Sequence, residues 1–200
     1  MLVLRTSAAS PFGRKVRRAI GTLELGSRIE VVNADTSDPG DSLRRQNPLG
    51  KIPTLVLENG EALFDSRVIV EYLNDVDGRD ILVPSGADRI AVLREQALAD
   101  GLMDAALLQM YEIRFRPPTH YVETWLAHQR GKVERALEFA AHRLPARREA
   151  GPHIGEIALA AALGYLDFRF QGAWRATHPP LEKWLDDFAA RVPAFQETAP

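Results

Sequence analysis

The chain has 200 residues, of which 46% are hydrophobic, and its formal net charge at pH 7 is −2. This composition supplies a sizeable core, and the near-balanced charge gives no sign of a nucleic-acid or membrane-surface partner. The sequence contains no cysteine, which excludes disulfides, thiolate metal sites and a nucleophilic or redox cysteine of its own. Any thiol chemistry must therefore use a thiol that a ligand brings.

The first part of the chain alternates short strands with helices. Residues 2–4 form an apolar run typical of a buried strand, and Ser10 and Pro11 then mark a helix start as N-cap and first helical residue. Residues 29–32 give a second strand, followed by a loop and a short polar helix that ends near residue 46. The apolar stripe of the first helix leaves four basic residues mostly outside it: Arg14, Lys15, Arg17 and Arg18.

A hairpin is the clearest local pattern. Residues 54–58 and 61–64 are two short strands around Asn59-Gly60, the preferred two-residue connection, and predict an antiparallel pair. Asp65 and Ser66 then cap a further helix. The order β-α-β-α-β-β-α, with a helix crossing over between the first two strands, predicts a four-stranded mixed sheet with helices packed on it.

Strand signals vanish after a segment with glycine and proline, residues 77–87. We interpret it as a linker between a domain of residues 1–76 and a domain of residues 88–200. Helical patterns follow at 88–116, 119–144, 154–170 and 181–190, so the second domain is predicted to be all-helical. Residues 154–166, within the third of these patterns, are apolar nearly all round, which predicts the central helix of that domain. The start of the sequence is the reverse of a signal peptide, so a cytoplasmic location is expected.

Two motifs of the first domain resemble the glutathione-binding half of cytosolic glutathione transferases: NPLGKIPTL at 47–55 and LFDSRVIVEYL at 63–73. Ser10-Pro11-Phe12 is similar to a bacterial branch that uses a serine near the thiol, and segments 99–105 and 161–169 resemble the same branch. The resemblance implies an α/β thioredoxin-like domain, an all-α domain that helps to form the second-substrate pocket, a homodimer and a role in detoxification.

The resemblance also implies a set of glutathione-binding residues: Phe12, Lys51, Ile52, Pro53, Asp65 and Ser66. Pro53 would be cis, so that Ile52 offers its N–H and C=O to the cysteinyl backbone as an added strand. Asp65 would accept the ligand's ammonium, Ser66 would bind the adjacent carboxylate, and Lys51 the glycine carboxylate. Plainer interpretations are an edge-strand proline, a helix cap and a solvated lysine.

Ser10 is the predicted catalytic residue. Its hydroxyl would donate to the thiolate sulfur, and the positive end of the helix that starts at Pro11 would lower the thiol pKa from about 8.5 or above. Lowering that pKa by two units needs about 2.7 kcal/mol, which one charge-assisted hydrogen bond plus the helix dipole supplies. The alternative is that Ser10 only caps the helix, because capping and catalysis compete for one side chain; Thr6 and Ser7 are then the reserve residues.

The second-substrate pocket is predicted to include Ser7, Met103, Tyr111 and Phe115, with Phe12 beside them. Aromatic and methionine residues at helical spacing are more often part of a core. Asp100 and Asp104, four residues apart, form a like-charge pair, reach a partner's ligand or lie on a solvated face. The five histidines show no paired metal spacing, so no metal is predicted.

The sequence thus favours a glutathione transferase, with glutathione as co-substrate and a small electrophile as second substrate. Two alternatives stay open. One is a glutathione-dependent isomerase or dehalogenase on the same fold, which shares the activated thiolate. The other is a non-catalytic protein that keeps the fold and has lost turnover.

Overall fold

The computed structural model describes residues 1–199, and its strands form one mixed sheet. The strands are β1 Leu2–Thr6, β2 Ile29–Asn33, β3 Thr54–Val56 and β4 Ala62–Leu63. Their order across the sheet is β2-β1-β3-β4, with β1 parallel to β2 and antiparallel to β3, and β3 antiparallel to β4. The predicted four-stranded mixed sheet is therefore confirmed.

Helices make up most of the remaining regular structure. They are α1 Pro11–Thr22, α2 Leu43–Gln46, α3 Ser66–Asp77, α4 Arg89–Phe115, α5 Glu123–His142, α6 Ile154–Phe170, α7 Trp174–Thr177, α8 Pro179–Arg191 and α9 Ala194–Glu197. Within residues 1–199, no strand follows β4, so the predicted sequence of a mixed sheet and then helices is confirmed. None of the helices in this range is both long and apolar enough to cross a bilayer.

The ends of the elements follow local sequence signals. Ser10 is the N-cap of α1 and its Oγ accepts the Gly13 N–H at 3.0 Å, while Asp65 caps α3 by accepting the Arg67 N–H at 2.9 Å. The hairpin differs in one detail from the predicted two-residue turn. The Leu57 N–H donates to the Glu61 carbonyl at 2.7 Å, so the loop between them has three residues, 58–60, and Gly60 takes the positive φ that ends it.

Helix α6 is the centre of the helical part. Every residue from Ile154 to Leu166 is buried, because α4 covers one side of the helix and α1 covers another. An apolar surface all round is what such a position requires. The prediction of a central helix is therefore confirmed.

The predicted exposure of the basic residues of α1 is wrong for three of the four. Arg14, Lys15 and Arg18 are buried, since the face of α1 turned away from the sheet packs against α6 and α9. Arg14 Nε donates to the Thr198 carbonyl at 3.1 Å, and Arg18 Nε donates to the Thr198 hydroxyl at 3.1 Å. The helix is thus covered on both sides.

Candidate functional site

A cleft opens at the amino end of α1, where the sheet-containing part meets α4 and α6, and it has two adjoining spaces. The narrow cleft has a volume of about 100 Å³ and is lined by twelve residues: Phe12, Asn47, Leu49, Lys51, Ile52, Pro53, Phe64, Asp65, Ser66, Arg67, Asp100 and Asp104. This list contains all six residues predicted to bind glutathione. The wide cleft, of about 650 Å³, shares Phe12, Lys51, Ile52 and Asp104 with it and continues past Ser10 to α4 and α6.

Ser10 lies on the wall of the wide cleft and also caps α1. The cap uses one lone pair of Oγ, which accepts the Gly13 N–H. A hydroxyl has one donor and two acceptor lone pairs, so the O–H of Ser10 stays available to a ligand. Capping and donation to a thiolate are therefore compatible, although the sequence suggested that they compete.

The two reserve residues differ in position. Ser7 lines the wide cleft, as predicted for the second-substrate pocket. Thr6 is buried beneath the first turn of α1, where its Oγ1 would lie only 1.9 Å from a Cβ added at Gly13. Thr6 is therefore placed to position that turn, and Ser7 is the nearer alternative to Ser10.

The loop that precedes β3 presents Ile52 with an unused main chain. The Ile52–Pro53 peptide bond is cis, as the family resemblance implied, and neither the N–H nor the C=O of Ile52 bonds to a residue within 1–199. The buried Asn47 side chain fixes this loop: Nδ2 donates to the Lys51 carbonyl at 2.9 Å, and Oδ1 accepts the Leu49 N–H at 3.0 Å. An extended peptide can therefore pair with Ile52.

The start of α3 forms the opposite wall of the narrow cleft. Asp65 is exposed and uses Oδ1 for the cap, which leaves Oδ2 free to accept a further hydrogen bond. Ser66 is buried at the first position of the helix, where backbone N–H groups have no partner inside the helix. An ammonium at Asp65 and a carboxylate at Ser66 would both be matched here.

Asp100 of α4 is neither on a solvated face nor part of a mere like-charge pair. Its carboxylate is 1% exposed and bonds to Lys15 Nζ at 2.7 Å and to Arg67 Nε at 2.9 Å. Asp104 is exposed at the cleft, where partial burial and then the neighbouring Asp100 raise the pKa of its carboxyl. The two acidic residues therefore have different environments one helical turn apart.

The structure corrects two residues of the predicted second-substrate pocket. Tyr111 lines the wide cleft, but Met103 is 0% exposed and belongs to the core. Phe115 is 64% exposed and packs edge-on against Tyr111 outside the lining of the cleft. The reason is rotational: α4 is covered on several sides, and spacing alone did not show which of its faces meets the cleft.

The wide cleft also has residues that sequence reasoning missed: Leu107, Leu108, Met110, Ile113 and Arg114 of α4, and Tyr165 and Arg169 of α6. A signal for some of them was present. Leu107 and Arg114 lie four before and three after Tyr111, and Tyr165 and Arg169 are four apart, so each set shares a helix face. Burial raises the pKa of the Tyr165 phenol to about 12, while the nearby Arg169 guanidinium acts in the opposite direction.

Comparison with known proteins gives a consistent result. The chain matches the family model of the glutathione S-transferase N-terminal domain over residues 9–76 and that of the C-terminal domain over residues 123–187. It is similar to the uncharacterized GST-like protein YibF of Escherichia coli K12, with 34% identity over 198 residues, which cover 97% of this chain and 96% of that protein.

Solved structures agree over the whole length. A glutathione transferase family member from Pseudomonas fluorescens Pf-5 with bound glutathione has 38% identity and a TM-score of 0.92, covering 100% of this chain and 99% of that chain. A structure of a family member from the same organism with bound S-(propanoic acid)-glutathione has 38% identity and a TM-score of 0.88, with 100% of both chains covered. The chain therefore belongs to the glutathione S-transferase family.

Proposed function

We propose that this protein is a glutathione transferase of the serine type, which activates the thiol of bound glutathione for attack on a small electrophile. One observation carries the proposal: the free main chain of Ile52 and the donor hydroxyl of Ser10 line connected clefts at the amino end of α1. A tripeptide paired with Ile52 brings its sulfur toward Ser10. There the hydroxyl and the helix dipole favour the thiolate.

The other groups of glutathione have matching partners in the narrow cleft. Asp65 accepts the ammonium, Ser66 donates to the neighbouring carboxylate, and Lys51 takes the glycine carboxylate. Phe12 covers the cysteinyl part, and cis-Pro53 presents Ile52. The Pseudomonas fluorescens relatives carry glutathione and a sulfur-substituted glutathione, which supports binding of the same tripeptide here.

Calorimetry and product analysis test the proposal. We expect reduced glutathione to bind in the micromolar to low millimolar range, and catalysed conjugation of 1-chloro-2,4-dinitrobenzene, a general electrophile. No heat of binding at millimolar glutathione would exclude the proposal. Mass spectrometry distinguishes the reaction classes, because a transferase forms a net thioether whereas an isomerase regenerates glutathione.

We further propose that the protein forms a homodimer and that it acts in detoxification in the cytoplasm. Membership of the family makes both expected. Light scattering on the purified protein measures the mass of the assembly directly. A monomeric mass across the concentration range used for activity would rule out the dimer. Cell fractionation with an antibody to the chain tests the location.

A further inference from the structure

Two arginines of the wide cleft have no acidic partner in the described part of the chain. Arg114, at the end of α4, and Arg169, at the end of α6, both line the cleft, and neither has a carboxylate of residues 1–199 within salt-bridge distance. Arg114 Nη2 donates to the Ser37 hydroxyl at 2.8 Å, and Ser37 follows Thr36, which lines the same cleft, so this bond holds the Arg114 side chain against the loop after β2. An arginine keeps five donors, so most of those of Arg114 are unused.

Aromatic side chains support both guanidinium groups. The Arg114 Cζ lies 5.2 Å from the centre of the Phe115 ring, and the Arg169 Cζ lies 4.2 Å from that of Phe168. Such contacts hold a guanidinium by its face and leave its edge, which carries the N–H donors, free. These aromatic residues are exposed, so the arginines are positioned at the rim of the cleft.

Tyr165 adds a neutral donor beside Arg169. It lies one helical turn before Arg169 on the same face of α6, and only 2% of it is exposed. A tyrosine phenol is protonated at neutral pH, and burial raises the pKa of Tyr165 further. The Tyr165 hydroxyl and the Arg169 guanidinium are therefore adjacent donors on one wall of the wide cleft.

The charges of the wide cleft are divided unequally. Its lining contains four charged residues: Lys51, Asp104, Arg114 and Arg169. Lys51 and Asp104, which have opposite charges, also line the narrow cleft, whereas Arg114 and Arg169 line only the wide one. The space left for a second substrate thus has two positive charges and no negative charge of its own. A cleft whose walls carry charges of one sign attracts ligands of the opposite charge.

We propose that the second substrate is an anionic electrophile, a small molecule in which a carboxylate or similar group stands a few bonds from the reactive carbon. Arg114 and Arg169 bind the anionic group, with Tyr165 positioning Arg169. The apolar residues Leu107 and Met110 contact the remainder. This inference rests on the proposed transferase function and adds the charge of the substrate to it.

The reaction for such a substrate balances without any further reagent. In an aryl chloride, the glutathione thiolate attacks the carbon that bears chlorine, a C–S bond forms, the C–Cl bond breaks and chloride leaves with the electron pair. The thiol proton passes to the solvent. The carboxylate takes no part in bond making, so the arginines act by binding and orientation.

A matched pair of substrates tests the charge preference. We would compare 4-chloro-3-nitrobenzoate with its methyl ester, each as kcat/KM divided by the rate constant of the uncatalysed reaction with glutathione. We expect the acid to be favoured at least about tenfold, which is what one charge-assisted hydrogen bond gives. The preference should shrink as salt is added, since ions screen charges at a cleft mouth.

Variants assign the preference to the arginines. We expect Arg169→Gln and Arg114→Gln each to lower kcat/KM for the acid about 10- to 100-fold and to change that for the ester less than about twofold. Tyr165→Phe should lower the acid-to-ester ratio by a smaller factor, since it removes only the hydroxyl that positions Arg169. Arg135→Gln, on the exposed surface of α5 and outside the clefts, is the matched control and should leave both substrates unaffected.

Binding of the two conjugates gives a readout that does not need turnover. Calorimetry would compare S-(4-carboxy-2-nitrophenyl)glutathione with its methyl ester. The acid conjugate should bind more tightly to the wild-type protein, Arg114→Gln and Arg169→Gln should each reduce the difference, and the double variant should abolish it. Equal affinities in the wild-type protein, or an acid preference that the double variant retains, would overturn the inference while leaving a transferase that accepts the ester intact. Failure of both conjugates and of glutathione to bind would overturn the proposed function as well.

Discussion

The hydroxyl of a single residue, Ser10, has two roles available at once. Its oxygen accepts the Gly13 N–H and so begins α1, and its proton remains for a ligand in the cleft. Stability and chemistry therefore depend on different parts of the same group. They can be separated by substitution, because glycine caps a helix nearly as well as serine but has no hydroxyl.

We predict that Ser10→Gly keeps the fold and loses the activation of the thiol. Ser10→Ala should lower the free energy of unfolding by about 0.5–2 kcal/mol, and Ser10→Gly should lower it by only a few tenths of a kcal/mol. Both should raise the pKa of the bound glutathione thiol and lower kcat/KM about 10- to 100-fold. Urea unfolding and ultraviolet titration of the thiolate are the measurements. An unchanged thiol pKa in Ser10→Gly would make Ser10 only a cap and turn attention to Ser7.

The sequence predicted the start of α1 better than the lining of the wide cleft. Ser10 and Pro11 are local signals, since an N-cap and a first-turn proline act on the nearest backbone groups. Whether Met103 or Met110 faces the cleft depends on how α4 is rotated against α6. Both are methionines on one helix, and only tertiary packing separates the core residue from the cleft residue.

Among the elements of the fold, the loop before β3 decides whether Ile52 can receive a peptide. Asn47 bonds to the Lys51 carbonyl, to the Leu49 N–H and, through Nδ2 at 3.2 Å, to the Thr54 hydroxyl. The buried amide group of Asn47 thus forms hydrogen bonds with residues both before and after Gly50 in this loop. Gly50 takes a positive φ within it, which a residue without Cβ adopts at least cost.

We predict that Asn47→Ala destabilises the protein by about 1–3 kcal/mol, because buried backbone groups lose their partner. Glutathione affinity should fall about tenfold, since the ordering of Lys51 and Ile52 must then come from binding energy. Calorimetry and urea unfolding measure the two effects. Asn59→Ala is the control: Asn59 caps the exposed hairpin loop, and its loss should leave affinity unchanged. Equal loss of affinity in both variants would argue against the role of the loop.

Element prediction was reliable where one local signal dominates. The pattern at 154–170 has the same bounds as α6, because local groups end the helix on both sides: His153 and Glu156 form a capping box at its start, and Gln171 takes a left-handed conformation after its last residue. The hairpin was predicted, but its loop has three residues, since Asn-Gly is compatible with more than one loop length. The proposed domain bounds, 1–76 and 88–200 with a linker at 77–87, stay a prediction.

For the molecule as a whole, buried charge joins the sheet-containing part to the helical part. Lys15 of α1 and Asp100 of α4 are 0% and 1% exposed, and their bond at 2.7 Å crosses between the two parts. Burial lowers the pKa of the Lys15 ammonium, and Asp100 acts against that shift. Sequence reasoning put Lys15 on a solvated face because helix periodicity cannot show that a second layer, α4 and α6, covers it.

We predict an unequal cost for removing the two members of this pair. Asp100→Asn leaves the Lys15 ammonium buried without a counter-charge, which should cost about 3–5 kcal/mol in the free energy of unfolding. Lys15→Met should cost clearly less, because Asp100 keeps Arg67, at 2.9 Å, as a partner. Urea unfolding of both single variants and of the double variant gives the coupling energy.

A second ion pair between α3 and α4 provides the control. Glu71 and Arg89 also connect the two parts, at 2.9 Å, but their side chains are more than a third exposed. Exposed pairs contribute at most about 1 kcal/mol, so Glu71→Gln should hardly change the unfolding transition. If Glu71→Gln and Asp100→Asn cost the same, burial would not be what makes the Lys15–Asp100 contact important. If Lys15→Met lowers the free energy of unfolding as much as Asp100→Asn does, Arg67 does not compensate Asp100 for the loss of Lys15. The predicted difference between the two variants would then be wrong.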